Sequence, residues 1–94
     1  MIELYQAEWC PHSSRVRQRL TELGVSFVAR QVPAERVDRE EMRRKVGTDE
    51  IPALLLEDGT PVTGDADELV AYIDEQYSER ADADVHRERA LSES

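Results

Sequence analysis

The chain has 94 residues, with 21 acidic against 12 basic side chains and a formal net charge of −9. A chain this short is expected to fold as one domain around one modest core, and its acidic surplus excludes a nucleic-acid partner, whose phosphates would be repelled. One cysteine, Cys10, cannot form an intramolecular disulfide, which excludes the stapled frameworks of small secreted domains.

Residues Met1 to Tyr5 lack the basic and long apolar regions of a signal peptide, and no apolar run is long enough to cross a bilayer. A cytoplasmic chain without a membrane partner is therefore expected. Its basic residues are almost all arginine, Lys45 being the only lysine. The acidic balance is read either as ordinary solubilising charge or as suited to a high-salt cytoplasm.

Ile2 to Tyr5 is a short segment with apolar residues at Ile2 and Leu4, and reads as a strand. A helix follows from Pro11, whose fixed φ and missing N–H suit a first helical position, with Val16, Leu20 and Leu23 along one face and Gly24 at its end. Ser26 to Val32 reads as a second strand, stopped by Pro33. The charged segment Glu35 to Val46, with Val37, Met42 and Val46 as its apolar positions, predicts one helix closed by Gly47.

Leu54 to Leu56 is a continuous apolar run and reads as a buried strand. Asp58-Gly59 predicts a type I′ hairpin turn, with positive φ at both central residues. Thr60 to Thr63 is the return strand, placed at an edge by Pro61. Asp65 to Tyr77 predicts a third helix, with Leu69, Val70, Ile73 and Tyr77 on one face and acidic residues at its start. Residues 78–94 offer only Val85 and Leu91 as large apolar groups, so a frayed or loosely helical acidic tail is expected there. The order β-α-β-α-β-β-α calls for an α/β fold: a mixed four-stranded sheet covered by helices.

Chemistry concentrates in Trp9-Cys10-Pro11-His12-Ser13, where the first strand feeds the first helix. A cysteine at a helix N-terminus meets unpaired backbone N–H groups and the positive end of the macrodipole, which stabilise a thiolate. Cys10 reads either as a small buried hydrophobe or as a reactive thiol, and Pro11 with the strand-to-helix position favours the thiol. Trp9 beside it is either a lone surface aromatic or a flat face for a disulfide partner. His12 and His86 are too far apart and too poorly accompanied by ligands to suggest a zinc site, so no metal is expected.

The chain resembles glutaredoxins, of the thioredoxin superfamily. Cys-Pro-His-Ser at residues 10–13 is similar to the family's Cys-Pro-aromatic-Cys, Ile51-Pro52 to its hydrophobic residue before a cis-proline, and Thr63 to Leu69 to the segment opening its last helix. The run Arg39-Glu40-Glu41-Met42 with Gly47 adds to the likeness, which covers residues 1–77 as one domain. N-terminal domains of glutathione transferases are similar too, and conjugation is the least expected activity for a chain of this length.

The resemblance implies a thioredoxin fold with helices on both faces of the sheet, and a monothiol thiol–disulfide oxidoreductase. In it, Cys10 attacks a mixed disulfide and His12, as an imidazolium, supports the thiolate; the other reading of His12 is an exposed first-turn residue. Trp9, Pro11, Ser13, Ile51 and Pro52 would contact the substrate. Asp65 or Asp67 would accept the γ-glutamyl amine of glutathione or a related thiol, the cosubstrate, with no tightly bound cofactor. The basic cluster Arg43, Arg44 and Lys45 is either a solvated helix face or a holder of the thiol's second carboxylate.

Ser13 in place of the second motif cysteine means an external thiol must resolve the intermediate. The lysine often found upstream of the cysteine is absent, Gln6, Ala7 and Glu8 standing there instead. Disulfide-bearing proteins are the expected partners of a monomeric chain. The alternative is a noncatalytic thiol-binding or iron–sulfur carrier module.

Overall fold

The computed structural model describes residues 1–77, so the expectation for residues 78–94 lies outside the described residues. Four strands and three α-helices follow in the order β1 (Ile2–Gln6), α1 (Pro11–Glu22), β2 (Phe27–Gln31), a 3-10 turn (Arg36–Asp38), α2 (Glu40–Val46), β3 (Ala53–Leu55), β4 (Pro61–Val62) and α3 (Ala66–Tyr77). The sheet runs β2-β1-β3-β4. β1 pairs in parallel with β2, from Ile2 opposite Phe27 to Gln6 opposite Gln31, and antiparallel with β3, Leu4 lying opposite Leu54. This is the mixed four-stranded sheet that the sequence calls for, in a thioredoxin fold.

Strand alternation sends residues two apart to the same face, and the two faces carry separate cores. Ile2, Leu4 and Leu54 pack with Val16, Leu20 and Leu23 of the α1 segment and with Leu69 and Ile73 of α3. On the other face Tyr5, Ala53 and Leu55 pack with Val32, Met42 and Val46, which brings α2 against the sheet. Helices thus cover both faces. Burying each of these aliphatic side chains contributes about 1.5–3 kcal/mol. Polar clamps add orientation: Arg19 of α1 donates to Glu22 and to Asp74 of α3, and Arg15 pairs with Asp67 at 2.7 Å.

Three local expectations are corrected. The single helix predicted over Glu35 to Val46 is broken at Arg39, whose φ of −89° and ψ of 41° separate the 3-10 turn from α2. The break is held from inside, because the Arg39 guanidinium turns back to donate to the carbonyls of Pro33 (2.8 Å), Asp49 (2.9 Å) and Ala34 (3.1 Å). Val37, one of the apolar positions of that expected helix, is consequently 76% exposed.

The β3–β4 hairpin is not type I′, since among the described residues none other than glycine has positive φ. Instead Gly59 N–H donates to Leu56 O at 2.9 Å and Leu56 N–H to Thr60 O at 2.9 Å, with Gly59 at φ 89°. That is a three-residue loop closed by a glycine in the left-handed region, a bulged hairpin whose reversal needs only one positive φ. The third correction is one of position: β3 runs from Ala53 to Leu55, and Leu56 follows it, paired with Thr60 across the base of the loop.

Candidate functional site

β1 ends one turn before α1 begins, and Cys10 closes the connection. Its N–H donates to Ala7 O at 3.1 Å, its φ of −88° and ψ of 119° are extended, and its carbonyl accepts the first helical bond from Ser14 at 3.1 Å. It is therefore the N-cap of α1, with Pro11 at the first helical position. The side chain is 8% exposed.

Burial raises the thiol pKa, yet the net shift is downward. Ser13 N–H, the Ser13 hydroxyl and His12 N–H all donate to the sulfur, and the Arg17 guanidinium adds a favourable charge. Ser13 is 0% exposed, and its Oγ also accepts from Ala7 N–H at 3.4 Å. Arg17 reaches back along α1 to Gln6 Oε1, Ala7 O (3.4 Å) and Glu8 (3.7 Å). It supplies, from within the helix, the cation that the sequence lacks upstream of Cys10.

Cys10 opens onto a cleft of about 700 Å³ at this end of the sheet. Trp9 (63% exposed) and His12 stand beside the sulfur. Ile51 and Pro52 form a second wall, and the peptide between them is cis. Gly64, Asp65, Ala66 and Glu68, at the start of α3, form a third. Ala34, Arg36, Arg39 and Glu50 close the cleft on the α2 side.

Of the residues singled out from sequence, Trp9, Cys10, His12, Ile51, Pro52 and Asp65 line this one cleft. Pro11, Ser13 and Asp67 do not. Pro11 is exposed at the start of α1, Ser13 is sealed beneath the sulfur and out of reach of a ligand, and Asp67 pairs with Arg15 on the outer face. Of the two acids, Asp65 is the one that lines the cleft, and it also caps α3 by accepting Glu68 N–H at 2.8 Å. What His12 gives the sulfur is its backbone N–H. Arg43, Arg44 and Lys45 lie off the cleft, Arg43 being committed to Asp49 and to the carbonyls of Arg36 and Val37.

Sequence reasoning passed over Arg17, Arg36, Arg39, Glu50 and Glu68. Arg17 had a signal, since it lies two helical turns from Cys10; the others depend on how loops distant in sequence fold together. Among the described residues no group of three His, Cys, Asp or Glu side chains is placed to hold a metal ion, and no helix is long and apolar enough to cross a membrane.

Sheet order, helices on both faces and a cysteine capping the first helix define a thioredoxin-fold domain. The profile of the family "Glutathione S-transferase, N-terminal domain" matches residues 4–81, and the chain belongs to that family. It is similar to a glutathione S-transferase from Rhodospirillum rubrum F11, at 28% identity and a TM-score of 0.70 over 84% of this chain and 35% of that one. A glutathione transferase homologue from Sulfitobacter with bound glutathione shares the fold at 21% identity and a TM-score of 0.71, over 98% of this chain and 47% of that one. So does glutaredoxin 2 from Salmonella typhimurium in complex with glutathione, at 18% identity and a TM-score of 0.68, over 81% and 34%. The chain thus spans a third to a half of the length of these proteins. No curated protein matches the sequence.

Proposed function

We propose that this domain is a monothiol thiol–disulfide oxidoreductase that uses glutathione or a related γ-glutamyl thiol. The observation that carries the reading is the hydrogen-bonded, charge-supported Cys10 in a cleft that Ile51 and Pro52 also line. In the first step the Cys10 thiolate attacks the glutathionyl sulfur of a mixed disulfide R–S–S–G. The Cys10–S–S–G bond forms, the original S–S bond breaks, and its electron pair leaves on R–S⁻, which takes a proton from water. A second glutathione thiolate then attacks the same glutathionyl sulfur, forming glutathione disulfide and expelling Cys10 as the thiolate.

Each wall has a part in this scheme. The Ile51 backbone pairs with the cysteinyl unit of the thiol, Trp9 covers the disulfide, and the free oxygen of Asp65 accepts the γ-glutamyl ammonium. Ser13 and Arg17 work from beneath, holding charge on the sulfur before and after exchange. Neither touches the substrate, so both are positioning residues. The two glutathione-bound structures of the same fold support the choice of thiol.

Removal of glutathione from a glutathionylated peptide, in the presence of reduced glutathione, tests the reading. Turnover with one glutathionyl group trapped on Cys10, and none in Cys10→Ser, is expected. A Cys10 that alkylates readily yet carries no glutathionyl group and gives no turnover would contradict it.

A further inference from the structure

A second groove, of about 410 Å³, lies between β2 and α2, and Arg39 lines both it and the Cys10 cleft. Strand alternation turns Tyr5 to this side, away from Leu4, so that its ring packs among Val32, Met42 and Leu55 and the residue is only 5% exposed. Among the described residues the Tyr5 hydroxyl has no hydrogen-bond partner. A buried hydroxyl left in that condition costs free energy, and native proteins rarely leave one so. Burial first, then the charges of Glu3 and Glu41, raise the phenol pKa and keep the group neutral, with Arg30 opposing them. Glu41 and Arg30 line the groove with Tyr5, which puts the hydroxyl at the groove rather than within the core.

The charged groups around it are unequally engaged. Arg30 donates to Glu3 at 2.6 Å, and Arg39 spends its guanidinium on the carbonyls of Pro33, Ala34 and Asp49. Neither arginine therefore has a donor to spare for an anion. Asp38 and Glu41, by contrast, line the groove with exposed carboxylates that make no hydrogen bond or ion pair among the described residues. With Arg30 neutralised by Glu3, these two acids outweigh Arg39 by one negative charge.

We propose that this groove binds an alkylammonium group, its three N–H donors shared among the Tyr5 hydroxyl and the Asp38 and Glu41 carboxylates, with its carbon chain laid on Ala29, Val32 and Met42. A primary ammonium matches the site in number, since it has three donors and no acceptor. One such charge also cancels the local excess. The site is separate from Cys10 and does not depend on the exchange chemistry.

Titration of the full chain with n-butylammonium, followed by NMR at the Tyr5 ring and the Met42 methyl, tests the site. Saturable shifts at both are expected, and equally in Cys10→Ser. Tyr5→Phe should weaken binding by about tenfold, the scale of one hydrogen bond to a charged group. Glu41→Gln and Asp38→Asn should each weaken it by about fivefold at low ionic strength, while Glu57→Gln, the same charge lost at the far hairpin, should leave it as it was. Tetramethylammonium, which has the charge without N–H donors, and n-butanol, which has the chain without the charge, should both bind more weakly. Without amine, Tyr5→Phe should melt no lower than the native chain, because its hydroxyl has no partner to lose.

Nα-acetyl-lysine amide separates two sources of the same group: affinity equal to that of n-butylammonium assigns the groove to a lysine side chain, and weaker binding assigns it to a free amine. No saturable shift with either amine, tetramethylammonium binding as tightly as n-butylammonium, or an affinity unchanged in Tyr5→Phe would overturn the proposal. So would a lower melting temperature in Tyr5→Phe, which would show the hydroxyl to be partnered within the chain.

Discussion

At Cys10 two opposing effects meet on one atom. Burial favours the neutral thiol, while donors from Ser13 and His12 and the Arg17 charge favour the thiolate, and the second group prevails. Removing either contributor should therefore move reactivity in a known direction. Arg17→Gln is expected to shift the pH profile of Cys10 alkylation upward, and Ser13→Ala to shift it further because the hydroxyl donor is lost while burial stays. A profile unchanged in both would mean that burial alone sets the thiol. Legibility at this scale was uneven. Cys10 with Pro11 announced itself, since few reasons place both at a strand-to-helix junction. The support beneath was not announced, because Ser13 was read as standing in place of a cysteine and Arg17 is one of several arginines in the helix.

Among the elements, the stretch from Pro33 to Asp49 depends most on side chains. Arg39, 5% exposed, donates to three backbone carbonyls and so fixes the 3-10 turn, α2 and the approach to Ile51-Pro52 relative to one another. Arg39→Ala is expected to cost about 2–4 kcal/mol in denaturant unfolding, the range for losing hydrogen bonds from a charged donor to partly buried acceptors. Arg39→Lys should recover only part of this, because one ammonium cannot span three carbonyls held in different directions. A loss below half a kcal/mol in Arg39→Ala would show the loop to be fixed by other contacts.

Asp49 sits in the same network, where hydrogen bonds from Arg36, with further support from Arg43, hold its carboxyl below the usual range. A depressed folded value stabilises the fold above the unfolded pKa of about 3.9, and the contribution disappears as pH falls through the folded value. Acid melting curves should accordingly converge for the native chain and Asp49→Asn at low pH and separate above about pH 4, the range of the unfolded carboxyl. Curves still separated in strong acid would contradict this. The helix expected over Glu35 to Val46 failed for the same reason that the network exists. Propensity and charge spacing favour one continuous helix, and a side chain satisfied by distant carbonyls overrides both. The strands and the flanking helices α1 and α3 were readable because apolar spacing decides them.

Across the whole molecule, charge and core pull apart. The net charge of −9 works against a compact state, and screening should relieve it. The ion pairs are mostly at the surface, as with Arg36 and Glu50, and such pairs contribute little that salt could remove. The melting temperature is therefore expected to rise from low salt to molar salt, and a salt-indifferent protein would remove the argument for a surface suited to a high-salt cytoplasm. The mixed four-stranded sheet was legible from the β-α-β-α-β-β-α pattern, since a right-handed crossover followed by a hairpin leaves few arrangements, whereas helices on both faces were an expectation from the resemblance. The cleft was legible only in part: Cys10, Ile51-Pro52 and Asp65 lie far apart in sequence, and the resemblance, rather than periodicity, joined them. Glu50 and Glu68 were invisible because nothing in a run of acids says which one faces a cleft.

The titration of Cys10 by its thiolate absorbance, with Cys10→Ser as the blank, decides most about this protein. A transition below that of a free cysteine, about 8.5, and displaced upward in Arg17→Gln, is the expected result. A transition at or above the free value would contradict an activated nucleophile at the start of α1.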